Sequence, residues 1–438
     1  PLTYTLPNTS NVKVNYPSLG MDFIYDADGR YTLNGTVYND LTSFLSAAGG
    51  TFTRNSVGTY YDSAGTLQTA SANTPRFDYD PTTHAAKGIL IEESRTNLIT
   101  NGQGQGASGT SSPTGWVLDQ GFGGLNYAAT SSLTNSKGYG AFQFSINGTT
   151  TGGNRLLINP TNTRATVAAN TTYTMTWGVE LIGGAYPYGI QTNFLWYDSG
   201  GSYLSSTLGT NHASISTYAR YTDTTTSPAN AASLRIRFDL TGYSTIGTSV
   251  NFTMQLSGVQ LEQGSFSTSY IPTTTATVTR AADVLTIPTA SWYNTNTGTM
   301  MTQYNIPYMG GTAYPGSAVF YDGTANNGIT LYIADAFGDL RRGQVRSGGT
   351  NSFDQSALSA YTAGTTTKSS LAYATNDANI SMDGVLATAD TSVTIPTVTT
   401  LRVGGANNGI TSALNGWIGT FKYYPSRIPD TQLQLLTQ

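Results

Sequence analysis

The chain has 438 residues, enough for about three domains of ~150 residues each, and it contains no cysteine, which excludes disulfides and thiolate metal sites. Charged residues make up only 10% of the chain, against the usual ~25%, and a net charge of −4 without a basic cluster argues against a nucleic-acid partner. Glycine (49) and tyrosine (29) are abundant while glutamate and lysine are scarce, which favours strands and turns over helices.

Residues 1–100 contain closely spaced turn signals, such as Asn34-Gly35, between short apolar runs. A short helix is expected at residues 41–47. The apolar side chains of residues 1–50 lie in stretches too short to close a core alone, so we expect an interface to bury them. This region is therefore predicted to dock onto another protein and to join identical chains.

A Gly- and Ser-rich linker at residues 101–115 precedes a predicted all-β domain at 116–270. Apolar and polar residues alternate along 233–240, as in a half-buried strand. The apolar residues occupy even-numbered positions up to Leu256 and odd-numbered positions from Val259 on. Gly258 lies at this switch, which predicts a β-bulge there.

A second linker at residues 271–283 leads to another all-β domain at 284–438. Asp383-Gly384 in this domain is a strong hairpin signal. Along the whole sequence no apolar run reaches the ~18 residues of a membrane helix, so membrane insertion is not expected. The fold class is predicted as all-β, with two β-sandwich (jelly-roll) domains in tandem after a β-rich N-terminal docking region.

Several segments resemble recurring segments of tailed-bacteriophage structural and tail proteins: 52–62, 75–81, 87–99, 259–273 and 279–283. The middle domain, with its segment 194–201, resembles the jelly rolls of carbohydrate-binding modules. The stretch 371–436 resembles the concanavalin A-like lectin/glucanase sandwiches of the same phage proteins. The resemblance implies a virion protein that is made in the host cytoplasm and exposed on the particle surface.

Three functions are compatible with such a protein. The first is attachment to host-surface polysaccharide as a tail or side fibre, and the second is a mainly structural role as a capsid or tail decoration or head-fibre protein. The third is a capsule depolymerase, which would need two convergent carboxylates. No glutamate follows Glu262. The neighbours Glu92 and Glu93 point to opposite faces of an extended chain, so they cannot converge on one bond. A salt bridge or turn contact with Arg95 is the structural interpretation of this pair. We therefore expect attachment without enzymatic activity.

The resemblance further implies a homo-oligomer, with a trimer favoured, bound to other virion proteins through the N-terminal region.

Aromatic side chains are the best candidates for glycan binding, because sugar rings stack on them. Five of them crowd one part of the middle domain: Tyr186, Tyr188, Trp196, Tyr197 and Tyr203. The first four are taken as the candidate site. Trp196 and Phe194 are two residues apart on one strand, so they point to the same face, which favours a core position for Trp196. Tyr186 and Tyr188 lie in a Gly- and Pro-containing loop and are the better surface candidates. The competing interpretation, which is favoured somewhat, is that these aromatic residues are structural.

No cofactor is expected, although calcium stays open as an alternative because Asp and Asn side chains offer oxygen ligands. The candidates by residue type are Asp198, Asp322, Asn326 and Asn327. The competing interpretation is that these residues cap turns. His84 and His212 are expected in polar loops, without a zinc-binding pattern.

Overall fold

The computed structural model describes residues 16–24, 30–120, 124–151, 156–160, 164–186, 188–213, 215–241, 245–309, 314–334, 338–406 and 413–438. Within these ranges nearly every element is a strand, which confirms the predicted all-β class with β-sandwich domains. None of the helices in the described ranges is long and apolar enough to cross a membrane.

The first third of the chain contains β1 (Leu19–Asp22), β2 (Tyr31–Leu33), β3 (Thr36–Tyr38), α1 (Leu41–Ala48), β4 (Thr51–Thr53), β5 (Gly58–Tyr61), β6 (Leu67–Ala70), β7 (Phe77–Tyr79), β8 (Ala86–Ile91), β9 (Arg95–Asn97) and β10 (Ser108–Gly109). The middle contains β11 (Trp116–Gln120), β12 (Leu125–Thr134), β13 (Gly140–Thr149), β14 (Leu156–Pro160), β15 (Ala165–Thr166), β16 (Thr172–Ala185), β17 (Gly189–Tyr197), β18 (Tyr203–Ala213), β19 (Ala219–Thr226), β20 (Ser233–Leu240), β21 (Ser249–Gln263) and β22 (Val278–Arg280). The last part contains β23 (Val284–Pro288), β24 (Thr297–Asn305), β25 (Gly316–Tyr321), β26 (Gly328–Ala334), β27 (Leu340–Ser347), β28 (Thr350–Ala360), β29 (Thr366–Ala374), β30 (Asp377–Met382), β31 (Val385–Leu386), β32 (Thr400–Val403), β33 (Gly416–Tyr424) and α2 (Asp430–Leu436).

The chain divides into two compact units that interleave in sequence. Unit 1 consists of the described residues of Pro1–Phe52, Lys87–Ile91 and Val284–Gln438, and unit 2 of those of Thr53–Ala86 and Glu92–Asp283. The described part of residues 1–100 is therefore shared between the units and does not form a region of its own. The docking role assigned to that region stays a prediction.

Unit 1 contains two sheets. One runs β3-β2-β1-β33-β24-β29-β30-β31, with β8 also pairing with β33, and the other runs β28-β27-β26-β25-β32-β23-β4. Strand β1 pairs antiparallel with the C-terminal strand β33, so that Leu19 lies opposite Tyr423. Leu19, Met21 and Phe23 are fully buried. These apolar residues were expected to need an interface, but they are already buried within the chain.

Helix α1 shows why a short segment becomes helical inside an otherwise β-rich unit. The side chain of Asp40 accepts a hydrogen bond from the backbone N–H of Ser43 at 2.7 Å and caps the first turn. Gly49 ends the helix in the left-handed conformation with φ of 68°. Leu41 and Phe44 are buried, so the helix forms where it was predicted and packs by its apolar face.

Unit 2 is a sandwich of two sheets around one hydrophobic core. The first sheet runs β10-β12-β13-β21-β16-β19, and the second runs β11-β14-β20-β17-β18, with β15 also pairing with β20. Along β20 every second residue is buried, as the alternation predicted. The bulge predicted at Gly258 is confirmed, because the register of β16 against β21 shifts there and Gly258 has a φ of +57°.

Candidate functional site

The second sheet of unit 2 carries an open groove on the face that points away from the core. Along β17 the even-numbered residues from 190 to 196 are buried. Of the odd-numbered residues between them, Gln191 and Leu195 are partly exposed and Asn193 is buried, and all three line the groove. The groove has a volume of about 630 Å³. Its lining residues are Gln191, Asn193, Leu195, Tyr203, Ser206, Leu208, Arg237, Asp239, Leu240 and Thr241.

Three side chains form a polar cluster in this groove. On β20 the guanidinium of Arg237 binds the carboxylate of Asp239 with two hydrogen bonds, Nε to Oδ1 at 2.5 Å and Nη2 to Oδ2 at 2.8 Å. On the neighbouring strand β17, Asn193 donates from Nδ2 to Asp239 Oδ2 at 3.3 Å. The cluster thus presents donors and acceptors at fixed positions, which is what recognition of hydroxyl groups requires.

Apolar side chains border the polar cluster. Tyr203 and Leu208 lie on β18, the edge strand of the sheet, and are 55% and 57% exposed. Leu195 lines the groove from β17 and is half-buried. Exposed aromatic and aliphatic groups beside polar ones are suited to a ligand with both C–H faces and hydroxyls, such as a sugar ring.

Two of the four predicted site residues are core residues. Tyr186 is only 3% exposed, donates from its hydroxyl to the carbonyl of Gly189 at 2.8 Å and packs against Phe252. The expectation that Tyr186 lies on the surface is therefore wrong. Trp196 is fully buried and donates from Nε1 to Thr207 Oγ1 at 3.1 Å, which confirms that it faces the core.

The other two predicted residues also lie outside the groove lining. Tyr188 packs half-buried against the core beside Tyr186, with ring centroids 6.2 Å apart. Tyr197 is 9% exposed and lies under the guanidinium of Arg164, 3.5 Å from its ring centroid. Tyr203, the fifth aromatic residue of the region, is the one that lines the groove.

The polar cluster was not predicted as a site. The alternation along 233–240 already placed Arg237 and Asp239 on the outward face of their strand. Their partner Asn193 is brought beside them by the pairing of β17 with β20, in which Asn193 lies opposite Arg237. This pairing joins residues more than 40 positions apart, and no local pattern in the sequence specifies it.

The calcium candidates are engaged in turns. Asp322 accepts hydrogen bonds from the backbone N–H of Thr324 at 2.9 Å and from Asn327 Nδ2 at 2.8 Å. Asp198 accepts one from the N–H of Ser202 at 2.8 Å. Among the residues that the structure describes, no group of three or more His, Cys, Asp or Glu side chains is placed to hold a metal.

The two histidines are placed differently from each other. His84 is exposed in a turn between β7 and β8, as expected. His212 lies on β18 and stacks on Tyr221 with ring centroids 3.6 Å apart, so its predicted loop position is wrong. Partial burial lowers the pKa of His212, which favours the neutral imidazole.

A buried ion-pair cluster joins distant segments of unit 2. Asp283 accepts hydrogen bonds from Arg54 at 2.9 Å and from Arg76 at 2.5 Å, and Arg76 also binds Glu92 at 2.8 Å. Arg280 lies 3.5 Å from Glu92 and 3.6 Å from Asp283. All five residues fall in segments that resemble tailed-phage proteins. The structure therefore gives these segments a structural role in holding unit 2 together.

The two adjacent glutamates have separate roles. Arg95 forms an ion pair at 2.5 Å with Glu93, so the contact expected for the glutamate pair is confirmed for this one of the two residues. Burial by itself would raise the pKa of Glu92, but the charges of Arg280 and Arg76 and the hydrogen bonds from Ser269 outweigh it and lower the pKa to about 2. Glu92 is thus a buried, ionised structural carboxylate.

No protein-family model matches the sequence, and no curated protein sequence matches it. Among solved structures, the IT-sialidase CBM40 of Ruminococcus gnavus bound to alpha2,3 sialyllactose is similar at 16% identity and a TM-score of 0.29, covering 33% of this chain and 84% of that one. The CBM22-1 xylan-binding domain of Paenibacillus barcinonensis Xyn10C is similar at 14% identity and a TM-score of 0.27, covering 40% and 99%. The enzymatically active domain of tailspike protein 4 from bacteriophage CBA120 is similar at 14% identity and a TM-score of 0.28, covering 38% of this chain and 21% of that one.

Proposed function

We propose that this chain is an attachment protein of a tailed-phage virion and that it binds host-surface glycans through the groove of unit 2. The observation that carries the glycan-binding proposal is the outward polar cluster of Asn193, Arg237 and Asp239 bordered by exposed Tyr203 and Leu208. Such a surface offers both hydrogen bonds and apolar contacts to a sugar. The phage assignment rests on the sequence segments that resemble tailed-phage proteins.

Binding is proposed to proceed without cleavage of the glycan. Hydrolysis of a glycosidic bond normally uses two carboxylates on either side of it. Asp239 is the one acidic residue among the described residues that line the groove, and Arg237 already neutralises it. Purified protein incubated with host polysaccharide should release no reducing ends, and release that Asp239→Asn abolishes would contradict this part of the proposal.

The groove is tested by measuring binding of the full chain to a glycan array and to the surface polysaccharide of the host. Tyr203→Ala should weaken binding at least about tenfold, because Tyr is enriched among the interface residues whose truncation costs ~2 kcal/mol or more, and ~1.4 kcal/mol is a tenfold change. Tyr308→Ala is the matched control, since Tyr308 is 45% exposed but belongs to unit 1. Equal loss in both variants, or in neither, would contradict the assignment of the groove.

The virion location and the trimeric state belong to the same proposal. Weak glycan sites gain avidity when several copies act together, and closed rotational symmetry is the common arrangement for identical chains. Antibody labelling of phage particles should place the chain on the particle surface. Its absence from purified particles would contradict the virion assignment.

A further inference from the structure

The groove contains a buried hydrogen-bond acceptor that has no partner among the described residues. Asn193 is only 4% exposed. Its Nδ2 donates to Asp239, while its Oδ1 is buried without a hydrogen bond. A buried amide oxygen without a partner destabilises the site, because it has lost its hydrogen bonds to water and gained none in return. A rotation of the Asn193 side chain that brings this oxygen to the surface of the groove would let a ligand hydroxyl donate to it and would remove that cost.

The charges at this acceptor cancel. Arg237 and Asp239 form a bidentate pair, which commits the Nε and Nη2 of Arg237 to a carboxylate within the protein. Arg237 therefore cannot also present that fork to the carboxylate of a ligand. The remaining polar residues of the lining are Gln191, Ser206 and Thr241, which are uncharged. An acidic sugar would bring its negative charge next to Asp239 and gain no free guanidinium fork in return.

We propose that the groove selects neutral sugars, with Asn193 as a specificity-determining residue; this inference rests on the groove being the glycan site. One sugar hydroxyl donates to Asn193 Oδ1, and a second hydroxyl donates to the Asp239 carboxylate. The apolar carbons of the ring lie against Leu195 and Leu208. Acidic sugars, such as uronic and sialic acids, bind more weakly, because the pairing of Arg237 with Asp239 leaves no free guanidinium fork for their carboxylate.

The test compares matched pairs of glycans that differ in one carboxylate, namely glucose, galactose and mannose oligosaccharides and the same oligosaccharides oxidised at C6. Affinities are measured by calorimetry on the full chain. At least one neutral glycan should bind, and its oxidised counterpart should bind at least tenfold more weakly. Asn193→Ala should weaken neutral binding about tenfold. Asn126→Ala is the control, because Asn126 is an exposed asparagine of the other sheet that is paired with Asn147.

Asp239→Asn provides a test in which affinity for the oxidised glycans should increase, so that its result does not depend on a loss of binding. It keeps the shape of the side chain and leaves Arg237 without a charged partner, so the oxidised glycans should bind more tightly, by about tenfold. Preference of the unaltered chain for the oxidised glycans, lost in Tyr203→Ala, would overturn this inference and leave the proposed function standing. Absence of binding to every glycan, or binding that Tyr203→Ala does not change, would instead contradict the proposed function itself.

Discussion

Replacing Glu92 by Gln tests how charge stabilises unit 2. In the folded chain Glu92 accepts hydrogen bonds from Arg76 and from the N–H and hydroxyl of Ser269, and its pKa falls from an ordinary 4.5 to about 2. At about 1.36 kcal/mol for each pH unit, this difference corresponds to ~3 kcal/mol of folding free energy at neutral pH. Removing one partner from a buried ion pair costs a similar ~3–5 kcal/mol.

The sign of the pH dependence follows from the lowered pKa. A carboxylate whose pKa is depressed in the folded state contributes its stability above the unfolded value of 4.5 and loses it as the pH falls towards 2. Urea unfolding, followed by tryptophan fluorescence, should therefore show Glu92→Gln to be ~3 kcal/mol less stable at pH 7. Between pH 4.5 and 2 this deficit should shrink as Glu92 in the unaltered chain becomes protonated.

Glu93→Gln is the matched control for this experiment. Its pair with Arg95 is partly exposed, with 25% of the Glu93 side chain accessible, and such pairs contribute at most ~1 kcal/mol. A loss below ~0.5 kcal/mol for Glu92→Gln at pH 7 would refute the account of the buried cluster. A deficit that is the same at pH 2 as at pH 7 would refute its electrostatic origin.

Three further predictions concern the bulge, the core and the assembly. Gly258→Ala should lower the unfolding free energy by ~1–3 kcal/mol. The added Cβ would lie 2.6 Å from Arg220 and from Tyr139, at a φ of +57° that favours glycine. Unchanged urea unfolding would show that the bulge tolerates a side chain. Trp196→Phe should lower the unfolding free energy by ~1–3 kcal/mol. Its glycan affinity should not change, since the ring lies in the core. A folded variant that no longer binds glycan would place Trp196 in the site. Light scattering at micromolar concentration should give three times the chain mass of 46.3 kDa, and a monodisperse monomer would contradict the proposed trimer.

Local sequence patterns were sufficient to predict the class of fold and several details within it. The alternation along 233–240 directs side chains to opposite faces, and the structure buries one of the two sets and leaves the other half-buried. A switch of apolar phase at a glycine has a direct geometric meaning, and the bulge lies at that position. The helix expected at residues 41–47 is also present, and Asp40 caps its first turn.

Pairings between distant segments could not be predicted in the same way. Tyr186 was placed on the surface because its loop sequence is rich in glycine, yet its ring packs against Phe252 from a distant strand. The sequence of β1 gave no sign that this strand pairs with β33, some 400 residues later. The polar cluster depends on the same kind of long-range pairing between β17 and β20. Composition and alternation predict strands, but they do not specify which strands become neighbours.

The most direct test of the central claim, that the groove of unit 2 is the glycan site, is a crystal structure of the full chain with a neutral oligosaccharide that it binds in solution. The sugar should lie across β17, β18 and β20, with one hydroxyl within hydrogen-bond distance of Asn193 Oδ1 and another near Asp239. A sugar bound beside Tyr186 and Tyr188, or on unit 1, with the groove empty, would contradict the claim.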